Sequence, residues 1–402
     1  MSERASAAFI LIIRPLARRY PAASRRANPI GATMSTSPRT SQRTSQPPPP
    51  RRTHRRNVAA CVTFLASLIV AMVPLLGLTT TAARACACGC SVFDVGGGML
   101  PQENDHGGRI FLEYWNLNQN VNWAGNSRAN PNLNQDKKLV STWVNVGFNY
   151  MFNRQWGMMV RVPLADRDFT TTTDPAVGLQ QTFNSKSVGD IEVVGMYAGF
   201  FEDMSTGVTF GLKLPTGTYT AYGLDRDTQI GSGSTDLLLG GFHRGLITGD
   251  NHWQYFAQAR WQVPFLYSAA YDSDLGTYAL YKPGYQVDGA LGILYNNLYN
   301  VFGFDKITPL AQIIASHRVH DNGPASDPLN TGLDRLMFSP GIEFTKVVDE
   351  ANNRVLKFYA DVEIPFYYRT NAADNGGLPS VGGTEGQLVA PIAVKAVASY
   401  NF

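Results

Sequence analysis

The chain has 402 residues, of which 44% are hydrophobic and only 16% are charged. Ordinary soluble domains carry roughly 25% charged residues, and this sequence shows no Gly-X-Y period, heptad block or long charged run. These features exclude a collagen, a coiled coil and a wholly disordered chain. Four cysteines in a chain of this length also exclude a disulfide-dense scaffold.

The net charge of +3 averages two very different parts of the chain. Residues 1–56 contain 12 arginines and a single acidic residue, Glu3. With Arg84, 13 of the 34 basic residues and one of the 31 acidic residues precede residue 86, which leaves 21 basic against 30 acidic residues in 86–402. A basic start before an apolar run is more typical of an export signal than of a nucleic-acid-binding tail, so we expect no nucleic-acid partner.

An uncharged apolar run at 58–78 follows several arginines and precedes Ala83-Arg84-Ala85, which is a cleavage signal for secretion. We therefore interpret residues 57–85 as a cleaved signal peptide. A transmembrane anchor is the alternative, because about 20 apolar residues can span a bilayer. Residues 1–56 are rich in Arg, Ser and Pro, and this composition predicts a disordered N-terminal extension.

From residue 107 onward, apolar and polar residues alternate with a period of two, and no helical period is evident. The last segment is the clearest, since every second residue from Leu388 to Phe402 is apolar. The alternation predicts twelve strands, near 109–117, 139–152, 157–168, 188–200, 207–216, 234–244, 252–266, 284–295, 305–318, 334–346, 354–368 and 388–402.

The predicted strands and their connections have the dimensions of a membrane barrel. Most strands have about ten or more residues, which is long for a globular strand but suits a tilted membrane strand. Connections after the even-numbered strands are short, whereas those after the odd-numbered strands, such as 169–187 and 217–233, are longer. We therefore predict an all-β fold for residues 107–402, an up-and-down antiparallel transmembrane β-barrel of about twelve strands with short periplasmic turns. We expect residues 86–106 to be a Cys- and Gly-rich periplasmic segment before it.

Several features of the strand ends predict an outer membrane. The chain ends in Phe402, with apolar residues at every second position before it. A terminal phenylalanine in this setting resembles the signal that the barrel assembly machinery of Gram-negative bacteria reads. Aromatic residues also crowd the strand ends, as at a membrane interface: Tyr150, Phe152, Trp156, Phe200, Trp253, Tyr255, Tyr295, Tyr367 and Tyr368. We expect outer-membrane lipid and lipopolysaccharide to surround the barrel.

A polar–aliphatic–proline pattern recurs in four of the odd-numbered strands and ends at Pro163, Pro215, Pro264 and Pro365. Proline cannot donate a hydrogen bond to a central strand ladder. Each of these positions is therefore predicted to mark a bulge or a strand end.

Charged residues concentrate on the strand face that the alternation predicts to point inward. A lipid-facing charge costs about 2–4 kcal/mol at the bilayer midplane, so these side chains are expected in the lumen. There they either pair across strands and fill a narrow barrel, or line a polar path for solutes. The candidates are Arg161, Asp190, Glu192, Lys213, Asp236, Arg260, Asp288, Lys357 and Lys395.

Three short motifs follow one another: Gly189-Asp190, then Lys213-Leu214-Pro215-Thr216-Gly217, then Gly231-x-Gly-x-x-Asp236-Leu237. Over residues 188–245 this order resembles the outer-membrane β-barrel transporter family named for the meta pathway of phenol degradation. The resemblance implies porin-like, passive passage of small solutes, hydrophobic or aromatic ones among them, across the outer membrane. Independently of it, Asp190, Lys213 and Asp236 share one inward parity, which favours a cross-strand charge cluster.

Cys86, Cys88 and Cys90 depart from that family pattern. Three cysteines within five residues can bind Cu(I) or another thiophilic metal, while a lipid anchor or a disulfide is the alternative. No other cofactor is expected. The second functional hypothesis is therefore a closed structural barrel whose periplasmic Cys-x-Cys-x-Cys terminus binds a thiophilic metal or a partner. No spacing of His, Ser or acidic residues indicates catalysis, so we expect no enzyme activity.

Overall fold

The computed structural model describes residues 107–174, 177–250, 252–272, 277–326, 328, 331–371 and 386–402. Twelve antiparallel strands form a closed β-barrel, which confirms the predicted fold. The fourth strand has two segments, both paired with the third. Among the described residues, no helix is long and apolar enough to cross a membrane. The strands are β1 (Gly107–Gln119), β2 (Asp136–Met151), β3 (Trp156–Asp174), β4 (Leu179–Val188 and Ile191–Tyr197), β5 (Thr206–Leu214), β6 (Asp236–Leu246), β7 (Trp253–Pro264), β8 (Gln286–Tyr295), β9 (Phe304–Arg318), β10 (Leu333–Asp349), β11 (Arg354–Thr370) and β12 (Ala393–Asn401).

Each strand pairs with its neighbours in the chain, and β12 closes the ring against β1. The closing register runs from Arg109 opposite Asn401 to Leu117 opposite Ala393. The strands of the closed ring each have a partner on both sides, so the ring has no open edge, whereas the Leu179–Val188 segment of β4 pairs only with β3.

Short and long connections lie at opposite ends of the barrel, as predicted. We call the two ends the turn end and the loop end. The short connections are 152–155, 198–205, 247–252, 296–303 and 350–353. The long ones are 120–135, 215–235, 265–285, 319–332 and 371–392.

The long loop predicted at 169–187 is wrong, because β3 continues to Asp174 and β4 begins at Leu179. These residues form a hairpin that extends beyond its neighbours. Its sequence is polar and rich in β-branched threonine, which favours a strand even where neither face is apolar. Thr170 and Thr182 are hydrogen-bonded across the hairpin at 2.8 Å.

The predicted last strand also begins later than expected, at Ala393 instead of residue 388. Gln387–Val389 instead pairs with Val121–Ala124, which also pairs with Ser127–Arg128, in a small sheet at the loop end. Leu388 is buried there at 2% exposure and does not extend the outer face of the barrel.

The four prolines lie where a strand ends or its register changes. Pro365 pairs at a register shift between β10 and β11. The carbonyl of Pro163 accepts a hydrogen bond of 2.7 Å from Gly189, in the interruption of β4. Pro215 directly follows β5, and Pro264 is the last residue of β7.

The two faces of the barrel wall differ sharply in polarity. Outward-facing residues are apolar and exposed, as in the run Ile110, Leu112 and Tyr114 of β1. Aromatic rings form contacts around the turn end, including Trp156 with Tyr197, Trp253 with Tyr295, Tyr150 with Phe152 and Tyr400 with Phe402. Tyr368 departs from the predicted girdle, because it is buried at the loop end and donates to the carbonyl of Ala390 at 2.8 Å.

Candidate functional site

The inward face of the wall is charged and buried. The structure places eight of the nine candidate residues inside the barrel at 9% exposure or less. The ninth, Lys357, is half-buried near the turn end and lies 3.0 Å from Glu343. Because buried charges are tolerated only when they are paired, the arrangement of partners determines what the lumen can do.

Lys213 joins three neighbouring strands into one charge cluster. Its Nζ lies 2.7 Å from Asp236 Oδ2 on β6 and 3.3 Å from Asp190 Oδ2, which precedes the second segment of β4. The register places Lys213 directly opposite Asp236. Asp236 also accepts a hydrogen bond of 2.6 Å from Gln262 on β7. The cluster that the inward parity favours is therefore present.

Asp190 also fixes the long connection 215–235, which we call the inward loop. One carboxylate oxygen accepts the backbone N–H of Gly217 at 3.0 Å. The other accepts from the backbone N–H and hydroxyl of Ser232, at 2.8 and 2.5 Å. Gly217 and Gly231 lie so close that a Cβ on either would collide with the backbone of the other. Glycine is therefore required at both positions.

Arg167, on the neighbouring strand β3, fixes the same loop at a second point. Its Nη1 donates to the carbonyls of Thr228 and Gln229 at 2.6 and 2.7 Å, and its Nε donates to Ser141 at 3.0 Å. The guanidinium lies over the ring of Trp143, 5.4 Å from the centroid. The inward loop is thus held at two points by buried charged groups.

The middle of the inward loop lies among side chains that point into the lumen. Ile230, 6% exposed, packs in one cluster with Trp115, Trp143 and Ala390. Ala390 belongs to the connection before β12, so residues from two loop-end connections meet inside the barrel. This packing narrows the lumen at the loop end.

A chain of weaker ion pairs crosses β3, β4, β7 and β8. Glu192 lies 3.6 Å from both Arg161 and Arg260, and Arg260 lies 3.6 Å from Asp288. Ser316 donates to Asp288 at 2.6 Å. Alternating positive and negative groups thus line this part of the wall.

A separate pair lies where the barrel closes. Lys395 on β12 and Glu113 on β1 are 3.3 Å apart and almost fully buried. Asn145 on β2 donates to Glu113 at 2.6 Å. These residues connect three strands across the seam.

A cavity of about 120 Å³ lies between the inward loop and the wall. Charged groups of both signs line it, together with a few apolar and aromatic surfaces. The lining residues that matter for its chemistry are Pro163, Arg161, Arg167, Asp190, Glu192, Lys213, Arg226, Asp227, Ile230, Tyr281 and Arg318. It therefore contains several of the predicted lumen residues and several that the sequence did not indicate.

Tyr281 and Arg226 form one side of this cavity. The Arg226 guanidinium lies 3.9 Å from the centroid of the Tyr281 ring and 5.3 Å from that of Tyr219. Burial lowers the pKa of Arg226. Tyr281 donates a short hydrogen bond to the fully buried Asp321. Burial and then the negative charge of Asp321 raise the pKa of Tyr281 well above its ordinary value.

Sequence reasoning missed three residues that hold this region together. Arg167 has the same inward parity as Arg161, so the alternation contained its signal. Arg226 and Asp321 lie in long connections, where period-two alternation gives no information. Asp321 accepts from Gly284 and Arg318 at 2.7 Å each, which ties two loop-end connections together.

The predicted metal-binding residues Cys86, Cys88 and Cys90 lie outside the described residues. Within the described part of the chain, no group of three or more His, Cys, Asp or Glu side chains is arranged to hold a metal ion.

Comparison with solved structures places this barrel beside outer-membrane proteins. An outer membrane channel from Pseudomonas putida F1 matches with a TM-score of 0.52 and 13% identity, over 77% of this chain and 100% of that chain. At this identity the match establishes a shared fold. No family model matches the chain, and no curated protein matches it.

Two further solved structures are more distant. The β domain of the Bordetella autotransporter BrkA matches with a TM-score of 0.42 and 11% identity, over 74% of this chain and 100% of that chain. The CymD monoaromatic hydrocarbon channel matches with a TM-score of 0.35 and 10% identity, over 74% and 89% of the two chains.

Proposed function

We propose that this chain is an outer-membrane barrel that passes small solutes passively between the two sides of the membrane. The observation that carries the proposal is the opposite polarity of the two wall faces. Exposed Leu, Ile and Phe side chains cover the outside, whereas Arg, Lys, Asp and Glu side chains line the inside. A closed barrel with this arrangement suits a lipid exterior and a hydrated interior.

The orientation and the surroundings follow from the same proposal. The turn end faces the periplasm and the loop end faces the exterior, as in barrels with short periplasmic turns. The chain is exported by the signal peptide at 57–85, and Phe402 directs its assembly into the outer membrane. The motifs at Asp190, Lys213 and Asp236 support our proposal that it is related to the transporter family named for phenol degradation and that its solutes are small hydrophobic or aromatic molecules.

The inward loop sets which solutes pass. Asp190 and Arg167 hold it inside the barrel through hydrogen bonds from two neighbouring strands. Because both anchors are charged groups inside the barrel, the loop is a firm constriction and not a surface flap. A narrow opening lined with charges of both signs favours solutes of small cross-section.

The full-length protein, purified from outer membranes and inserted in a planar lipid bilayer, tests the proposal by single-channel recording. We expect discrete conductance steps, together with uptake of small solutes by liposomes that contain the protein. A correctly folded barrel that gives neither conductance nor solute uptake would contradict passage and favour a closed structural barrel.

A further inference from the structure

The cavity beside the inward loop is lined by Arg226, whose partners differ from those of three other cations in the lining, Lys213, Arg161 and Arg318. Lys213, Arg161 and Arg318 each lie within ion-pair distance of a buried carboxylate. Arg226 instead donates to the carbonyl of Ser232 and, at 3.1 Å, to the hydroxyl of Ser268. Among the described residues, no carboxylate lies within ion-pair distance of Arg226.

This guanidinium is fixed in place before any ligand arrives. It lies over the ring of Tyr281 and near that of Tyr219, and its Nε is buried without a hydrogen-bond partner. Arg226 is largely buried, and the more distant charges of Asp321 and Asp190 offset only part of its desolvation cost. An anion that enters the cavity would offset this cost, and the rigid, planar guanidinium suits a carboxylate in particular.

The rest of the lining restricts the ligand further. Asp190, Glu192 and Asp227 also face the cavity, and their charge disfavours a second negative group on the ligand. Ile230 and Pro163 provide apolar surface on the wall. The cavity, about 120 Å³, is slightly smaller than a cavity of about 150 Å³ that binds benzene in another protein. The ligand is therefore small, singly charged and partly apolar.

We infer that this cavity binds a small organic monocarboxylate, whose anionic group pairs with Arg226 and whose hydrocarbon part lies against Ile230 and Pro163. The inference rests on the proposed channel function, since the bound molecule would be a solute held at the constriction. It names the chemical class of solute that the constriction selects.

Equilibrium dialysis of the full-length protein in detergent, with radiolabelled butyrate as the probe, tests the inference. We expect saturable butyrate binding to the unaltered protein. Arg226→Gln keeps hydrogen-bond donors but removes the charge, and it should weaken binding at least about tenfold. Arg128→Gln makes the same change at an exposed arginine of the loop-end sheet and should leave binding unaltered.

Competition by two unlabelled compounds tests whether the cavity selects a monocarboxylate. Unlabelled succinate, with a second carboxylate, and 1-butanol, without any, should both displace butyrate poorly. Succinate that competes as well as butyrate would overturn the monocarboxylate assignment. Equal competition by 1-butanol would show that Arg226 has no role.

Absent butyrate binding, or equal binding by the unaltered protein and a folded Arg226→Gln variant, would overturn the inference. If Arg226→Gln fails to fold, Arg226→Lys replaces it. The lysine keeps the charge but lacks the planar fork, so it should still weaken butyrate binding. Conductance is recorded separately, so an active channel that binds no butyrate refutes the inference and leaves the proposed function intact.

Discussion

At the scale of single residues, the buried ion pairs are the most sensitive points of the barrel. Lys213 separates Asp190 from Asp236, and the three side chains are nearly inaccessible to solvent. Replacing Lys213 with methionine leaves two carboxylates facing each other in a buried site. We expect the free energy of unfolding to fall by about 3–5 kcal/mol. Reversible urea unfolding in lipid vesicles measures the change.

Lys186→Met is the matched control for this prediction. Lys186 lies 2.7 Å from Asp166, but both side chains are largely exposed on the hairpin of β3 and β4. Exposed ion pairs contribute little because water and salt screen them. The control should therefore unfold at the urea concentration of the unaltered protein. An equal shift in both variants would mean that burial of the Lys213 cluster does not determine its contribution.

Tyr281 offers a spectroscopic prediction at the same scale. Burial first, and the neighbouring Asp321 second, favour the neutral phenol and raise its pKa well above 10. Ultraviolet titration should therefore give the same absorbance change near about pH 10 for Tyr281→Phe and the unaltered protein. Tyr222→Phe, which removes a phenol that is 90% exposed, is the matched control. A smaller change in Tyr281→Phe would show that Tyr281 ionises there and is not enclosed.

At the scale of elements, the inward loop determines how open the barrel is. Asp190→Asn removes the charge that pairs with Lys213 and weakens the acceptors for Gly217 and Ser232. We expect the loop to leave its position part of the time, so single-channel conductance should rise and fluctuate more. Recording in a planar bilayer measures both effects.

Asp168→Asn is the control for that prediction, since Asp168 is exposed on the hairpin of β3 and β4. It makes the same chemical change at a carboxylate that accepts from Asn184 of the hairpin and not from the inward loop, so it should leave the conductance unaltered. Unchanged conductance in Asp190→Asn, with the barrel still folded, would mean that the loop does not limit passage.

An element could be predicted from the sequence where the pattern that indicates it lies within a short stretch of neighbouring residues. Alternation along a strand is local, so the strands and the inward side of Arg161 and Lys213 follow from the sequence. The hairpin at 169–187 was missed because it extends beyond the rest of the wall, and its polar faces resemble a loop. The path of the inward loop depends on the contact between Gly217 and Gly231. These glycines are separated in the sequence and meet only in the folded barrel, so alternation along a strand cannot predict their contact.

At the scale of the whole molecule, the apolar character of the outer face is explained by the lipid around the barrel and not by packing inside it. Leu112 lies midway between Ile110 and Tyr114 in the apolar part of β1 and is 50% exposed. In water, such exposed apolar side chains would favour aggregation. In a bilayer the same side chains are buried in lipid, and the polar core lies inside the wall.

Arginine substitutions distinguish these two environments. In a membrane barrel, Leu112→Arg should lower the free energy of unfolding by about 2–4 kcal/mol, because the charge lies near the midplane. Phe152→Arg, in the short connection 152–155 of the turn end, should cost only about 0–1 kcal/mol. Unfolding of both variants in lipid vesicles gives the comparison. In a water-exposed barrel an arginine at either position would be well solvated, so the two variants would be equally stable. Equal free energies of unfolding would therefore contradict the transmembrane placement.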